Sequence, residues 1–454
     1  MGRRALLVAG TLVASACVLP LQSPALASVA PRAGEPSRSS FFNPILDNYA
    51  DPWMTHWKGE YYLTATTGSN ITIWNSHDLT NVGAGNQTIV WSPSGKEANF
   101  SDIWSPELYH FGRRWYIYFA ADKNGVNATH RDYVLESQSD NPLGSYRFVG
   151  EINSPSNQWA IDPNVLTLRG KRYFIWSGWD DPTNQVQRLF IAPMSSPTHI
   201  SGRRVAISSP LYPWETSVAP INEGPVTLKH GGHTWIVYSA NASWTNSYCL
   251  GLLTLKTRNP LDPGAWIKDP NPVFASANGV YGPGRASFVT SPNGKQWWMI
   301  YNAARYDQSG WNRTIRAQPF IWGRNGNPDF GEPRPLAARL PLPAGQTPNR
   351  QSYFPSSHAG GFATFTVKVP RAGLYGLYIR YHNPNPFTTT QNFAINGKPQ
   401  PALSFPQTEN TPGTANAFST AQTVVTLPKG KSVIKIYVGS VGADIAWIQL
   451  ASAD

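Results

Sequence analysis

From Phe41 onward the chain alternates short apolar, aromatic-rich runs with turns of Gly, Pro, Asn and Asp, and no long stretch carries a helical period. One unit recurs: a short apolar run, a Gly-containing turn and a second, aromatic-rich run. It reads ADPWMTHWKGEYYLT, SPELYHFGRRWYIYFA, IDPNVLTLRGKRYFI, NEGPVTLKHGGHTWI and GRASFVTSPNGKQWWMIYNA. Five such hairpins, at intervals of roughly 50 to 65 residues, predict a five-bladed β-propeller over residues 41–340. A Pro-rich join, RPLAARLPLPAGQTPNR, closes the repeats. Beyond it FATFTVKV, GLYGLYIRYHN, NFAING, AQTVVTLPKGKSVIKIYVG and DIAWIQL predict a β-sandwich over residues 341–454, so the fold class expected is all-β throughout.

The repeats carry acids in register. Asp51 lies eight residues before Gly59, Asp162 eight before Gly170 and Glu223 eight before Gly231. Inner strands of a propeller end at one central mouth, so three carboxylates are expected to converge there. Crowded acids repel, and their pKa values must separate. One ionised base and one protonated acid at the same pH is what hydrolysis of a glycosidic bond requires, with the third acid holding the second one's pKa high. Singly, an Asp before Pro is a turn residue capping its own backbone; three against the same turn are not explained so. At the corresponding place the other repeats carry Trp104 and, with one residue of slippage, Arg285. Trp104 and Trp53 are candidate stacking surfaces for a sugar. Arg285 is a candidate to orient hydroxyls or to pair with a carboxylate, and Glu107 is expected to be structural.

Residues 1–27 have a basic start, an apolar run and small residues at Ala25-Leu26-Ala27, which predicts a secretory signal cleaved after Ala27. Lipoprotein processing at Cys17 and twin-arginine export through Arg3-Arg4 stay open. Residues 28–40 are Ser-, Pro- and Arg-rich and read as a linker. With the signal gone, Cys249 is the only cysteine, expected as a small buried hydrophobe, and no intrachain disulfide can form. The net charge of +11, with 37 basic and 26 acidic side chains, is spread without clusters. Scattered charge in a secreted chain excludes nucleic acid as a partner and suits solubility or an acidic polysaccharide. No later segment is apolar enough to predict a membrane span. Aromatics are 13% of the chain, with 18 Trp, which suits stacking on sugar faces as well as packing between blades. No HExxH, CxxC, P-loop or GxSxG is present, and the histidines, His230 and His233 on a turn among them, show no metal-ligand spacing.

The motifs ADPW, DIWSPELYH, AIDPNV, NEGPV, YGPGRASF and NRTIRAQPFIWGRNGNPDFGEP together resemble glycoside hydrolase family 43, over about 300 residues. That resemblance implies an inverting five-bladed propeller enzyme with Asp51 as general base, Asp162 as pKa modulator and Glu223 as general acid. IWSPELYH and RTIRAQPF resemble the α-L-arabinofuranosidase and exo-arabinanase branch, which implies arabinan or arabinoxylan as substrate; β-xylosidase, endo-arabinanase and a non-catalytic propeller lectin are the alternatives. Many members have His where this chain has Arg285, and that His helps hold a channel water or metal. No cofactor is therefore expected, and a channel calcium is put in doubt by Arg285. The C-terminal segment resembles the carbohydrate-binding modules of families 6 and 35, with Tyr381 expected in a core or rim. A monomer is expected.

Overall fold

The computed structural model describes residues 40–41, 43–47, 49–152, 158–305, 307–335, 338, 340–346, 361–383, 388–406, 419–438 and 444–452. The expected signal over residues 1–27 and the expected linker over residues 28–40, apart from Ser40, lie outside these. The described chain is all-β and falls into two compact units, the larger spanning Ser40–Pro355. Among the described residues no helix is long and apolar enough to cross a membrane.

Among the described residues the larger unit holds one two-stranded pair and five antiparallel sheets of four or five strands, the five formed in chain order from consecutive strands save for one early strand. Their first two strands are Ala50–Trp57 and Glu60–Thr66, Phe100–Phe111 and Arg114–Lys123, Ala160–Leu168 and Lys171–Gly178, Asn222–His230 and His233–Ala240, and Tyr281–Thr290 and Trp297–Ala304. These are the hairpins legible in the repeat. The tight turns take the backbone they need: Lys58-Gly59, Arg169-Gly170 and Gly231-Gly232 all have positive φ, as two-residue turns matching strand twist require.

Each sheet buries one apolar face on the next. Sheets one and two share Ile71, Ile73, Leu108 and Trp115; two and three share Tyr118, Val134, Val165 and Phe174. Three and four share Ile175, Ile191, Ile236 and Tyr238; four and five share Trp235, Val237, Met299 and Tyr301. Sheet five returns to sheet one through Trp298, Ile300, Leu63 and Trp74, so the series closes. Cys249 sits in the third of these contacts, buried as expected, with burial pushing its thiol up. His230 and His233 are exposed at their turn.

An early strand completes the last sheet. Leu46–Asp47 pairs with Arg313–Trp322, Leu46 facing Ile315, and Ser40–Phe41 pairs with Leu340–Pro341. The first unit therefore continues past the boundary expected at residue 340: Leu340 and Leu342 lie in its core, and Gln346 bonds Thr80 at 2.7 Å.

The smaller unit, whose described residues lie between 361 and 452, has a four-stranded sheet ordered Gly361–Val369, Gly430–Val438, Thr389–Ile395, Lys398–Phe405. Its three-stranded sheet is ordered Ser419–Leu427, Gly373–His382, Asp444–Ser452. Leu377, Ile379, Phe393, Phe405, Leu427 and Ile434 form a core shared by both sheets, and Tyr381 is buried there against Phe405.

The early strand should hold the series closed. Leu46→Ala, which removes a buried side chain from the contact between sheets five and one, is expected to cost about 2–4 kcal/mol in urea denaturation. A change near zero would mean that the strand merely lies against the edge.

Candidate active site

At one place in every first strand the ladder breaks. Bulges interrupt the pairing after Ala50, Trp104, Ile161, Glu223 and Gly284. The next residue has positive φ each time: Asp51 at 56°, Ser105 at 49°, Asp162 at 59°, Gly224 at 55° and Arg285 at 42°. Proline follows the first four, at 52, 106, 163 and 225. Proline within a sheet belongs at a bulge, where its missing N–H removes no ladder bond. Left-handed backbone costs a non-glycine residue about 1–2 kcal/mol, so the surroundings must hold it.

What holds it is the neighbouring sheet. The residue facing each bulge on the second strand is Thr66, Ala120, Ser177, Ser239 or Asn302. The Ser105 N–H donates to Thr66 Oγ1 at 2.8 Å, the Arg285 N–H to Ser239 Oγ at 2.8 Å and the Asp51 N–H to Asn302 Oδ1 at 2.9 Å. The Gly224 N–H donates to Asp162 Oδ2 at 2.9 Å. Otherwise orphaned donors are thereby satisfied, and the same bonds point the side chains of Asp51, Asp162 and Arg285 toward one another.

This geometry corrects the register read from the sequence. Gly232, not Gly231, is the second turn residue and matches Gly59 and Gly170, so Gly224 is the equivalent of Asp51 and Asp162. Glu223 lies one residue earlier, at the position Trp104 and Gly284 occupy, and Ser105 is the true counterpart in sheet two. The Gly-Gly turn concealed the offset. What sets position 224 apart from its non-glycine equivalents is space: a Cβ there would stand 2.9 Å from Arg285 Cδ.

The three acids nonetheless share one buried neighbourhood. Asp162 accepts from Ser105 Oγ and the Gly224 N–H, with Arg285 Nε 4.0 Å away. Asp51 accepts from Thr66 Oγ1 at 2.6 Å and faces Arg313 Nη1 at 3.9 Å. Burial pushes its carboxyl above the ordinary value; Arg313 opposes that shift and the Asp162 charge adds to it. Glu223 accepts from Tyr248 Oη at 2.8 Å and Gln187 Nε2 at 3.3 Å. Burial first, then the Asp162 charge, pushes Glu223 up to about 8, against the Tyr248 bond and Arg313. Glu223 is thus held protonated at neutral pH, with Asp162 helping to keep it so.

Arg285 is buried to 2% exposure and donates to Glu107 Oε1 at 3.0 Å. Glu107 also accepts from Tyr109 Oη at 2.6 Å and Asn164 Nδ2 at 2.9 Å, which fits the structural part expected of it. Of the two roles considered for Arg285, the geometry shows the pairing with carboxylates. Trp104 is half-buried on the Asp162 side, stacked on the buried His130 at 4.1 Å and packed with Trp159 and Trp179, themselves stacked at 4.5 Å. Trp53 is placed elsewhere: its Nε1 donates to the Leu108 carbonyl at 2.9 Å and its ring lies 4.8 Å from that of Tyr109, between sheets one and two.

Sequence reasoning missed Tyr248, Gln187, Arg313 and the ring of Thr66, Ser239 and Asn302. Only the last left a signal, a polar residue at one register of the second strand in every sheet except sheet two, which has Ala120 there. Among the described residues no group of three His, Cys, Asp or Glu is arranged to hold a metal.

Residues 41–328 match Glycosyl hydrolases family 43. An extracellular exo-α-(1→5)-L-arabinofuranosidase of Streptomyces avermitilis is 35% identical over 328 residues, 69% of this chain and 66% of that protein, so the match spans just under two thirds of that relative. Alpha-L-arabinofuranosidase 43 of Humicola insolens is 32% identical over 79% of this chain and 71% of its own. The crystal structure of an α-L-arabinofuranosidase from Lactobacillus brevis superposes with a TM-score of 0.61 at 31% identity, covering 65% of this chain and 98% of that one.

The Arg285–Glu107 pair should be stiffly coupled. Arg285→Met strands buried carboxylate charge and is expected to lose about 3–5 kcal/mol of stability, with Glu107→Gln restoring part of it in the double variant. Additive losses in a denaturation cycle would contradict the pairing.

Proposed function

The chain belongs to the glycosyl hydrolases of family 43, and from that premise we propose that it is a secreted, inverting α-L-arabinofuranosidase releasing L-arabinofuranose from arabinan or arabinose-decorated plant polysaccharide. The observation that carries the chemistry is the contrast between two neighbouring acids: Glu223, buried and pushed up to about 8, and Asp51, partly exposed and facing the Arg313 guanidinium. Glu223 donates its proton to the glycosidic oxygen as the bond from that oxygen to the anomeric carbon breaks. Asp51 takes a proton from a water whose oxygen forms the new bond from the opposite face, and the anomeric centre inverts. Asp162 bonds neither leaving group nor water; its charge holds the Glu223 proton in place.

The five sheets, each packed on the next with the fifth on the first, support a five-bladed propeller whose mouth holds these acids. The two sheets around one core in the smaller unit support a β-sandwich, which we read as a carbohydrate-binding module keeping polymer near the mouth. The relatives' names support an arabinofuranoside substrate over a xyloside, and the Streptomyces avermitilis protein is named extracellular, which accords with the expected signal. No channel calcium enters the proposal. Guanidinium nitrogens donate and cannot ligate, and Arg285 already supplies the positive charge that Glu107 and Asp162 face.

Three outcomes are expected. Asp51→Asn and Glu223→Gln each lower kcat/KM on arabinan by about 10²–10⁴-fold with the fold intact by circular dichroism; undiminished release of arabinose by either variant would remove the assignment. For the wild type, kcat/KM should fall as pH rises through about 8, where Glu223 loses its proton, and fall again in acid above the ordinary Asp range, where Asp51 gains one. A profile without an alkaline limb contradicts the acid. Dialysis against EDTA should leave turnover unchanged, and a loss restored by added calcium would show that Arg285 does not replace a cation.

A further inference from the structure

Two tryptophans stand in solvent beside this site. Trp311 is 69% exposed and Trp244 43%, and their rings meet edge to face with centroids 5.8 Å apart. Leaving a pair of large rings uncovered forfeits burial that elsewhere stabilises the fold, and an exposed aromatic pair is a surface open to an apolar face.

The pair is built, not incidental. Trp244 lies on the segment 241–248 that ends at Tyr248, whose hydroxyl bonds Glu223 at 2.8 Å. Trp311 lies two residues before Arg313, the partner of Asp51. The two segments are tied together: Trp311 Nε1 donates to Ser243 Oγ at 3.1 Å, Arg313 Nη2 to the Ser243 carbonyl, and Asn246 Nδ2 to Asp307 Oδ1 at 2.6 Å. The Gln308 N–H donates back to Asn246 Oδ1 at 3.2 Å. The indole of Trp311 is thereby oriented by its own N–H while its ring stays open. Both tryptophans belong to sheets four and five, the side of the mouth that carries Glu223. The Trp104, Trp159 and Trp179 cluster belongs to sheets two and three.

We infer that Trp244 and Trp311 form a sugar-stacking platform for the leaving-group side of the scissile bond, taking the next one or two neutral sugar rings of the polymer. The inference rests on the glycosidase proposal and on Glu223 as its acid. The acid must face the leaving oxygen, and the platform shares a loop with the acid's hydroxyl partner. A neutral sugar presents C–H faces to such rings, and no charged side chain is needed. Binding energy from those remote rings would be spent in positioning the chain for cleavage.

The test compares 4-nitrophenyl α-L-arabinofuranoside, which has no second sugar, with linear α-1,5-arabinotriose, on wild type, Trp244→Ala, Trp311→Ala and Trp311→Phe. The alanine variants are expected to lose about 5- to 10-fold more in kcat/KM on the trisaccharide than on the aryl glycoside, mostly through KM, and Trp311→Phe to keep most of the difference. Parallel losses on both substrates, or none on either, would overturn the platform. Should the wild type cleave neither substrate, the arabinofuranosidase proposal fails separately. The platform is then judged by calorimetry with arabinotriose, xylotriose and galactotriose: binding of one of them, lost in the Trp244→Ala/Trp311→Ala double variant, sustains it, and binding of none removes it.

Discussion

The site depends on one repeated backbone event: a left-handed residue on each first strand, held by the sheet before it or by an acid on that sheet. Asp51, Ser105, Asp162, Gly224 and Arg285 are all turned this way, and four of their N–H groups are captured across the sheet boundary. The turn stops the first strand from presenting its side chains alternately to its two faces and aims them along the strand toward a shared space. Closure of the five sheets therefore does two things at once. It buries the apolar faces, and it supplies the donors' partners without which positive φ at Asp or Arg would be strain with no compensation.

Bringing Asp51, Glu107, Asp162 and Glu223 together leaves three buried carboxyls and the partly exposed Asp51 against two guanidiniums, Arg285 and Arg313. The arrangement divides them. Glu107 takes Arg285 directly and is committed to the frame. Asp51 faces Arg313, while Asp162 is fixed by a serine, a backbone N–H and the flank of Arg285. Glu223 has only neutral hydrogen-bond partners, a tyrosine and a glutamine, so burial and the Asp162 charge dominate it. Burial raises Glu107 as well, to about 8, even beside Arg285, so what sets Glu223 apart is that its hydrogen-bond partners are neutral while Glu107 is tied to the frame by the guanidinium.

The hairpin repeat, the all-β class and the three acids were legible because the turns and the paired strands recur at constant spacing. The offset of Glu223 was not, since Gly231-Gly232 allows two alignments and only the strand pairing chooses between them. Long-range partners left even less trace. Arg313 lies 262 positions from Asp51 and reaches it only because the series of sheets closes. Trp53 misled for the opposite reason: proximity in sequence to Asp51 implied a shared space, but the bulge sends its ring between sheets one and two. The expected boundary at residue 340 failed because a Pro-rich segment was read as a linker, whereas Leu340–Pro341 is pinned by Ser40–Phe41.

The division of labour between Glu223 and Asp51 is tested most directly by leaving-group dependence. Glu223→Gln and Asp51→Asn are assayed on aryl α-L-arabinofuranosides whose phenols span weak to strong acids. Protonation matters only where the phenol is a poor leaving group, so Glu223→Gln should lose far more on those than on an activated dinitrophenyl glycoside, while Asp51→Asn loses comparably on all. Uniform losses in Glu223→Gln, or a leaving-group slope in Asp51→Asn, would contradict the assignment of acid and base.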